Sequence, residues 1–188
     1  MCFFETNRLF LRPFEPEDAE IVQTLTSDID LARTTLHIPY PYPDGYAIHW
    51  ITSCTEKFKK GSSYSFAIIL KETLELVGCM TLTLALNHKR GELAYWIGKP
   101  YWDNGFATEA SNRLIEFAFY ELNLNRVWAC VMKKNKASIE VMKKSGLLYE
   151  GTLSQHVFKW GQYEDVAYYG IVKEQYEKTN TENALVET

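Results

Sequence analysis

Clustered cysteine is the first thing this sequence lacks. Its four cysteines (Cys2, Cys54, Cys79 and Cys130) are far apart, form no CxxC pair and have no histidine at ligand spacing. The expected metal set is therefore none. Cys79 and Cys130 sit inside apolar, strand-like runs and read as reduced core residues of a cytoplasmic protein. Surplus positive charge is missing too. The 20 Lys and Arg stand against 24 Asp and Glu, a net charge of -4, which argues against a nucleic-acid face built on bulk charge. No apolar run approaches a membrane span. Met1 to Arg12 alternates polar and apolar residues without a signal-peptide apolar segment, so neither a membrane partner nor export is expected. Repeats, linkers and low-complexity tracts are absent. Over 188 residues this leaves one α+β domain, expected at residues 5–174, with a polar, frayed tail at 175–188.

Along the chain, residues 8–14 read as a strand stopped by Pro13, and Pro16-Glu17-Asp18-Ala19 as a helix start. Residues 36–46 hold Pro39, Pro41, Pro43 and Gly45 among tyrosines. That composition forbids regular structure and leaves two readings, a pocket-lining loop or a surface connection pinned by its rings. Residues 46–60 read as a helix ending at Gly61. Strand patterns at 63–70, 76–84 and 90–97, with short breaks, make an antiparallel meander. A loop over 98–105 leads to a helix over 106–122, whose Ala107, Ala110, Leu114, Phe117, Ala118 and Leu122 recur at steps of three and four. Residues 126–132 are apolar on both faces, as in a central strand. A short helix capped by Asn135 ends before Gly146, and strands 147–159 and 163–172 flank the turn Trp160-Gly161-Gln162.

The strand 90–97, loop and helix 106–122 form a geometry in which free N–H groups and the helix dipole hold an anion. Known signatures are absent: there is no GxGxxG, and the frame Gly146–Gly151 is followed by Thr152, not by Lys-Ser/Thr, so a dinucleotide fingerprint and a Walker loop are excluded. What remains is Asn104-Gly105-Phe106-Ala107-Thr108, small wherever a backbone must approach a pyrophosphate.

In its wider setting, Gly91 through Ala110 resembles the central acetyl-CoA-binding motif of the GNAT acetyltransferases. Within them it is similar to the ribosomal-protein N-terminal (RimJ/RimL-type) branch. Thr6 through Phe14, Asn135 through Leu147 with Glu150-Gly151, and Trp160 through Asp165 with Tyr168 resemble further segments of that branch. The likeness covers about residues 5–172, in order. It implies a mixed central sheet of about seven strands, flanked by helices and splayed between strands 4 and 5, and transfer of an acetyl group from acetyl-CoA to a primary amine. Two positions depart from the pattern. Trp102 stands where the superfamily's phosphate loop usually has Arg or Gln, and Met142 where many members have a Tyr acid. Both feed a rival reading, a non-catalytic acyl-CoA sensor. Either way, monomer and homodimer both remain open.

The resemblance implies that backbone groups of Trp96, Ile97 and Gly98 pair with the pantetheine arm, and that Asn104, Gly105, Phe106, Ala107 and Thr108 hold the pyrophosphate. Asn135 adds a pantetheine contact to its capping role. Lys143, within the cluster Lys133, Lys134, Lys136 and Lys144, is a candidate for the 3′-phosphate. Glu92 shares a strand face with Ala94 and Trp96 and stands where several members carry a general base; the plain alternative is a solvent-facing Glu beside a hairpin turn. Ser138 is the substitute donor for the leaving thiolate or, more simply, a first-turn serine. With no Gly-x-Ser-x-Gly elbow, transfer is expected to be direct. The acceptor pocket is expected from residues 34–50 and the last hairpin, through Tyr40, Trp50, His156, Phe158 and Tyr163, with Tyr42 and Trp160 nearby. An α-amine titrates near pH 7.7–8.0 and a lysine amine near 10.4, which slightly favours the α-amine.

Overall fold

The structure, a computed structural model, describes residues 4–186; Cys2 lies outside them. Eight strands form one sheet: β1 (Phe4–Glu5), β2 (Leu9–Pro13), β3 (Ser63–Leu70), β4 (Leu76–Ala85), β5 (Arg90–Ile97), β6 (Arg126–Met132), β7 (Leu148–Lys159) and β8 (Gln162–Val172). Their spatial order is β1-β2-β3-β4-β5-β6-β8-β7. All neighbours are antiparallel except β5 and β6. Seven of these strands are legible as patterns; the eighth, β1, has two residues, too few to carry a period. The strands expected as fourth and fifth are therefore β5 and β6.

Helices cover both faces. α1 (Ala19–Thr26), α2 (Ile29–Thr34) and α3 (Tyr46–Lys59) lie on one. There Val22, Leu31 and Ile51 pack against Ala67, Ile69, Cys79 and Trp96 of the sheet. α4 (Phe106–Glu116), extended by a π-helical turn over Phe117–Glu121, and α5 (Lys136–Lys144) lie on the other. There Ala110, Leu114, Ile139 and Met142 pack against Phe66, Ile68, Met80 and Leu82. Neighbouring residues of β3 thus serve different cores, as the two-residue strand period requires. Leu114, fully buried, is a position where truncation to Ala costs about 2–5 kcal/mol.

α2 is short and escapes the sequence pattern; Asp28 caps it by accepting from the Asp30 N–H at 2.7 Å. Lys173–Val186 forms α6, where polarity alone predicts a frayed tail. Its Tyr176 ring rests 5.1 Å from that of Phe119, a tertiary anchor invisible to local composition. Arg12 grips Asp18 with two hydrogen bonds of 2.7 Å, fixing the entry to α1.

The feature that positions the site is the parting of β5 from β6. They pair only at Arg90–Glu92 with Arg126–Trp128. Beyond that, β5 stays on β4 as far as Ile97 opposite Gly78, while β6 stays on β8 as far as Met132 opposite Val166. At Gly78 a Cβ would come within 2.4 Å of the Trp96 carbonyl oxygen, so that close approach requires glycine.

Candidate active site

The gap between β5 and β6 opens into a cavity of about 870 Å³, near the upper end for small-molecule sites. Its β5 wall presents unpaired backbone. The Gly98 N–H donates to the Val77 carbonyl at 2.9 Å, so Gly98, and by alternation Trp96, turn their polar groups toward β4. By the same alternation Leu93, Tyr95 and Ile97 turn their polar groups toward β6; past the last paired residues, Glu92 and Trp128, the N–H and C=O of Tyr95 and the N–H of Ile97 face the gap. Of the three residues expected to offer backbone contacts, Ile97 turns its N–H toward the gap, while Trp96 and Gly98 turn theirs toward β4; Trp96 and Ile97 line the cavity and Gly98 does not.

Trp102 finds its explanation here. Its indole N–H donates to the Ile97 carbonyl at 2.7 Å, satisfying a group that β6 has abandoned. Met142 is a core residue whose side chain also borders the cavity.

At the far end stands the N-terminus of α4. Gly105 caps it at φ +78°, a left-handed conformation costly for a side-chain-bearing residue. The first helical bond is Glu109 N–H to the Gly105 carbonyl, so the N–H groups of Phe106, Ala107 and Thr108 have no helical acceptor. All three residues line the cavity, as do Asn104 and Gly105. The loop is held from outside. Arg8 donates to the Asn104 carbonyl at 2.9 Å and to Glu109 at 2.8 Å, while Thr6 donates to Glu109 at 2.6 Å. Three free N–H groups on a helix dipole, beside a strand with open ladder positions, fit the pyrophosphate and the amides of the acyl-CoA that the sequence resemblance implies.

The cavity carries side chains of catalytic type on both faces of the sheet. On the α4/α5 face, Ser138 Oγ accepts from Tyr95 Oη at 2.9 Å and from Asn135 Nδ2 at 3.1 Å. The Asn135 Oδ1 accepts the Ser138 N–H at 3.0 Å, which makes the Nδ2 side the donor. With two donors already on its oxygen, the serine hydroxyl has its own proton free to donate into the cavity. Asn135 also holds the Thr34 carbonyl at 3.0 Å, tying α5 to the end of α2. Burial pushes the Tyr95 phenol up to about 12, so it stays a donor at all working pH values.

On the α1–α3 face, Glu92 points into the cavity, half-buried. Burial raises its pKa, while His37, Arg90 and the Cys130 thiol pull it down. Cys130 Sγ lies 3.9 Å from Glu92 Oε1, and burial pushes that thiol up to about 11. A carboxylate that binds its proton more tightly than usual is a stronger base than one at the surface.

The remaining expected residues are placed as follows. Trp50 lines the cavity; Tyr40, His156, Phe158 and Tyr163 do not. Phe158 and Tyr163 meet in a tilted pair at 5.0 Å on the exposed β7–β8 hairpin, and Tyr40 packs on Trp160 beside it. Lys143 turns outward to Glu140 at 2.8 Å, and Lys144 takes its place on the lining. Lys133 and Lys134 pair with Asp165 and Glu164. Tyr95 and Leu31, which sequence reasoning missed, line the cavity, as does His37 from the stretch 34–50 expected to form the acceptor pocket. Of the two missed residues Tyr95 carried a signal, a hydroxyl within an apolar strand.

The acetyltransferase (GNAT) domain family matches residues 8–148. A Bacillus licheniformis protein described as the uncharacterized N-acetyltransferase p20 is 33% identical over 173 residues, spanning 91% of this chain and 96% of its own length. The spermidine N(1)-acetyltransferase of Escherichia coli K12 is 28% identical over 172 residues, 88% of this chain and 87% of its own. Among solved structures, the ribosomal L7/L12 α-N-protein acetyltransferase RimL in complex with coenzyme A superposes with a TM-score of 0.84. It shares 16% identity and covers 92% of this chain and 98% of its own.

Proposed function

This chain belongs to the acetyltransferase (GNAT) family, and from that premise we propose that it transfers an acetyl group from acetyl-CoA directly to a primary amine, an α-amine by preference. The observation that carries the reading is the parted strand pair with Glu92 on one face and Ser138 on the other. An amine can approach from the α1–α3 side while a thiol departs on the α4/α5 side.

Acetyl-CoA supplies the activated acyl group; the N–C bond forms as the C–S bond breaks. Phe106, Ala107 and Thr108 hold its pyrophosphate through their N–H groups. Leu93, Tyr95 and Ile97 offer ladder positions to the pantetheine amides, and an N–H of that row faces the carbonyl oxygen as negative charge develops there. Glu92 takes the amine proton, directly or through water, and Ser138, oriented by Tyr95 and Asn135, relays a proton to the thiolate and takes one back from solvent, while Glu92 later releases its proton to water. Because an α-amine is already part-neutral near pH 8, a carboxylate of modestly raised pKa suffices as its base. Free cysteines at Cys54, Cys79 and Cys130 fit the reducing cytoplasm.

The test is release of free CoA, followed with a thiol-reactive dye, from acetyl-CoA and a panel of amines. Amine-dependent release that collapses in Glu92→Gln and Ser138→Ala supports the reading. Acetyl-CoA binding without release from any amine would replace it with a non-catalytic acyl-CoA sensor.

A further inference from the structure

On the α1–α3 side the cavity extends past Glu92 into an incompletely filled part of that core. Its walls are Val22, Leu31, Ile38, Tyr42, Trp50 and Trp96. The threonine hydroxyls around these walls are turned to neighbouring protein groups. Thr26 Oγ1 donates to the Val22 carbonyl at 2.6 Å, and Thr34 and Thr35 donate to the Leu31 carbonyl at 3.0 and 3.1 Å. Thr81 is paired with Ser65 at 2.9 Å.

Charged lining groups are few among the described residues. Glu92 is the one carboxylate on this side, with His37 across from it; Asp103, Glu140 and Lys144 sit on the loop before α4 and on α5.

We infer that the acceptor is a monoamine bearing a branched or aromatic apolar group close to the amine, and that polyamines are poor acceptors. This rests on the acetyl-transfer reading and names its substrate class. One carboxylate matches one ammonium, and the apolar walls match a hydrocarbon body. A second ammonium in the same pocket meets rings, methyl groups and a few hydroxyl oxygens, with no second carboxylate to offset the loss of its water. The structure thereby separates this site from what a polyamine needs, although a spermidine acetyltransferase is among the relatives.

The experiment measures kcat/KM by CoA release for leucinamide, phenylalaninamide, glycinamide, putrescine and spermidine at one pH. Leucyl and phenylalanyl peptides run beside the amides and say whether the amine belongs to a chain end or to a small molecule. Leucinamide or phenylalaninamide is expected to exceed glycinamide by about 100-fold, since each methylene that fits an apolar pocket is worth roughly 10-fold or more. Both polyamines are expected to fall below glycinamide. Equal rates across the three amides, or a preference for spermidine, overturn the inference and leave acetyl transfer standing. No release from any amine overturns both together.

A second arm uses Ile38→Glu, which adds a carboxylate to the apolar wall from a loop position. The ratio of putrescine to leucinamide turnover is expected to rise at least about 10-fold. An unchanged ratio in a variant with wild-type circular dichroism counts against the inference.

Discussion

Replacing Glu92 with Gln changes one charge and almost no volume, and the structure predicts opposite effects on activity and stability. As the base, Glu92 accounts for about 10²–10⁴ in rate, so kcat/KM should fall by that factor, roughly 2.7–5.5 kcal/mol of barrier. Stability should move the other way. Among the described residues no cation forms an ion pair with this carboxylate; its recorded hydrogen-bond partner is the Cys130 thiol at 3.9 Å. Burial raises its pKa against the pull of His37 and Arg90. A carboxyl whose folded pKa is raised contributes most below the ordinary value of 4.5, and that contribution is lost as pH rises through the folded value. Removing a half-buried, unpaired charge should therefore raise stability and Tm near neutral pH, by far less than the several kcal/mol of a fully buried ion. Thermal melts of both proteins from pH 4 to 8, run beside CoA release, check both halves. The Tm difference should vanish in acid and reach its full size at neutrality, and wild-type kcat/KM should climb with pH through a midpoint above 4.5. A variant that melts lower at pH 7.5, or keeps activity within threefold, would refute the reasoning. Glu92 would then be an ordinary ion-pair partner of Arg90.

Ser138→Ala is expected to lower kcat by about 10²-fold or more with KM for acetyl-CoA little changed. Tyr95→Phe, which leaves Ser138 in place but removes one donor to it, should cost only about 3–10-fold, in keeping with one neutral hydrogen bond; equal losses in the two variants would refute the ordering. Gly105→Val should raise KM for acetyl-CoA and destabilise by about 1–2 kcal/mol or more, because a β-branched residue resists φ +78°; steady-state kinetics and urea melts read the two effects. Glu109 is desolvated, yet its bonds from Thr6 and Arg8 hold its pKa below normal. Its stabilisation is present above the ordinary 4.5 and lost as pH falls through the folded value. Glu109→Gln should accordingly cost about 1–3 kcal/mol at pH 7 and nearly nothing in strong acid, measured by denaturant unfolding across that range.

The sequence by itself determined the strand–loop–helix unit from Arg90 to Leu122, the capping Asn135, the Gly105 turn and the α+β class. Each is written in local spacing: period two, then a glycine at a left-handed position, then period 3.6. Through the family resemblance it also pointed to Glu92, Ser138 and the small residues from Asn104 to Thr108, all of which line the cavity. Tertiary structure alone decided the rest. Strand register, not residue type, turned Ile97 toward the gap and Trp96 and Gly98 away, because alternate residues of one strand bond to opposite neighbours. Packing of α5 over β5 brought Tyr95, 43 positions away in sequence, onto Ser138. The aromatic residues Phe158 and Tyr163 looked like pocket walls but pair with each other outside, because the hairpin that carries them ends at the edge of the sheet. The apolar wall of the cavity is assembled from α1, α2, the loop after it and α3. No local pattern foretells which of their side chains leave a cavity between them, since that depends on how three helices rest on one sheet face.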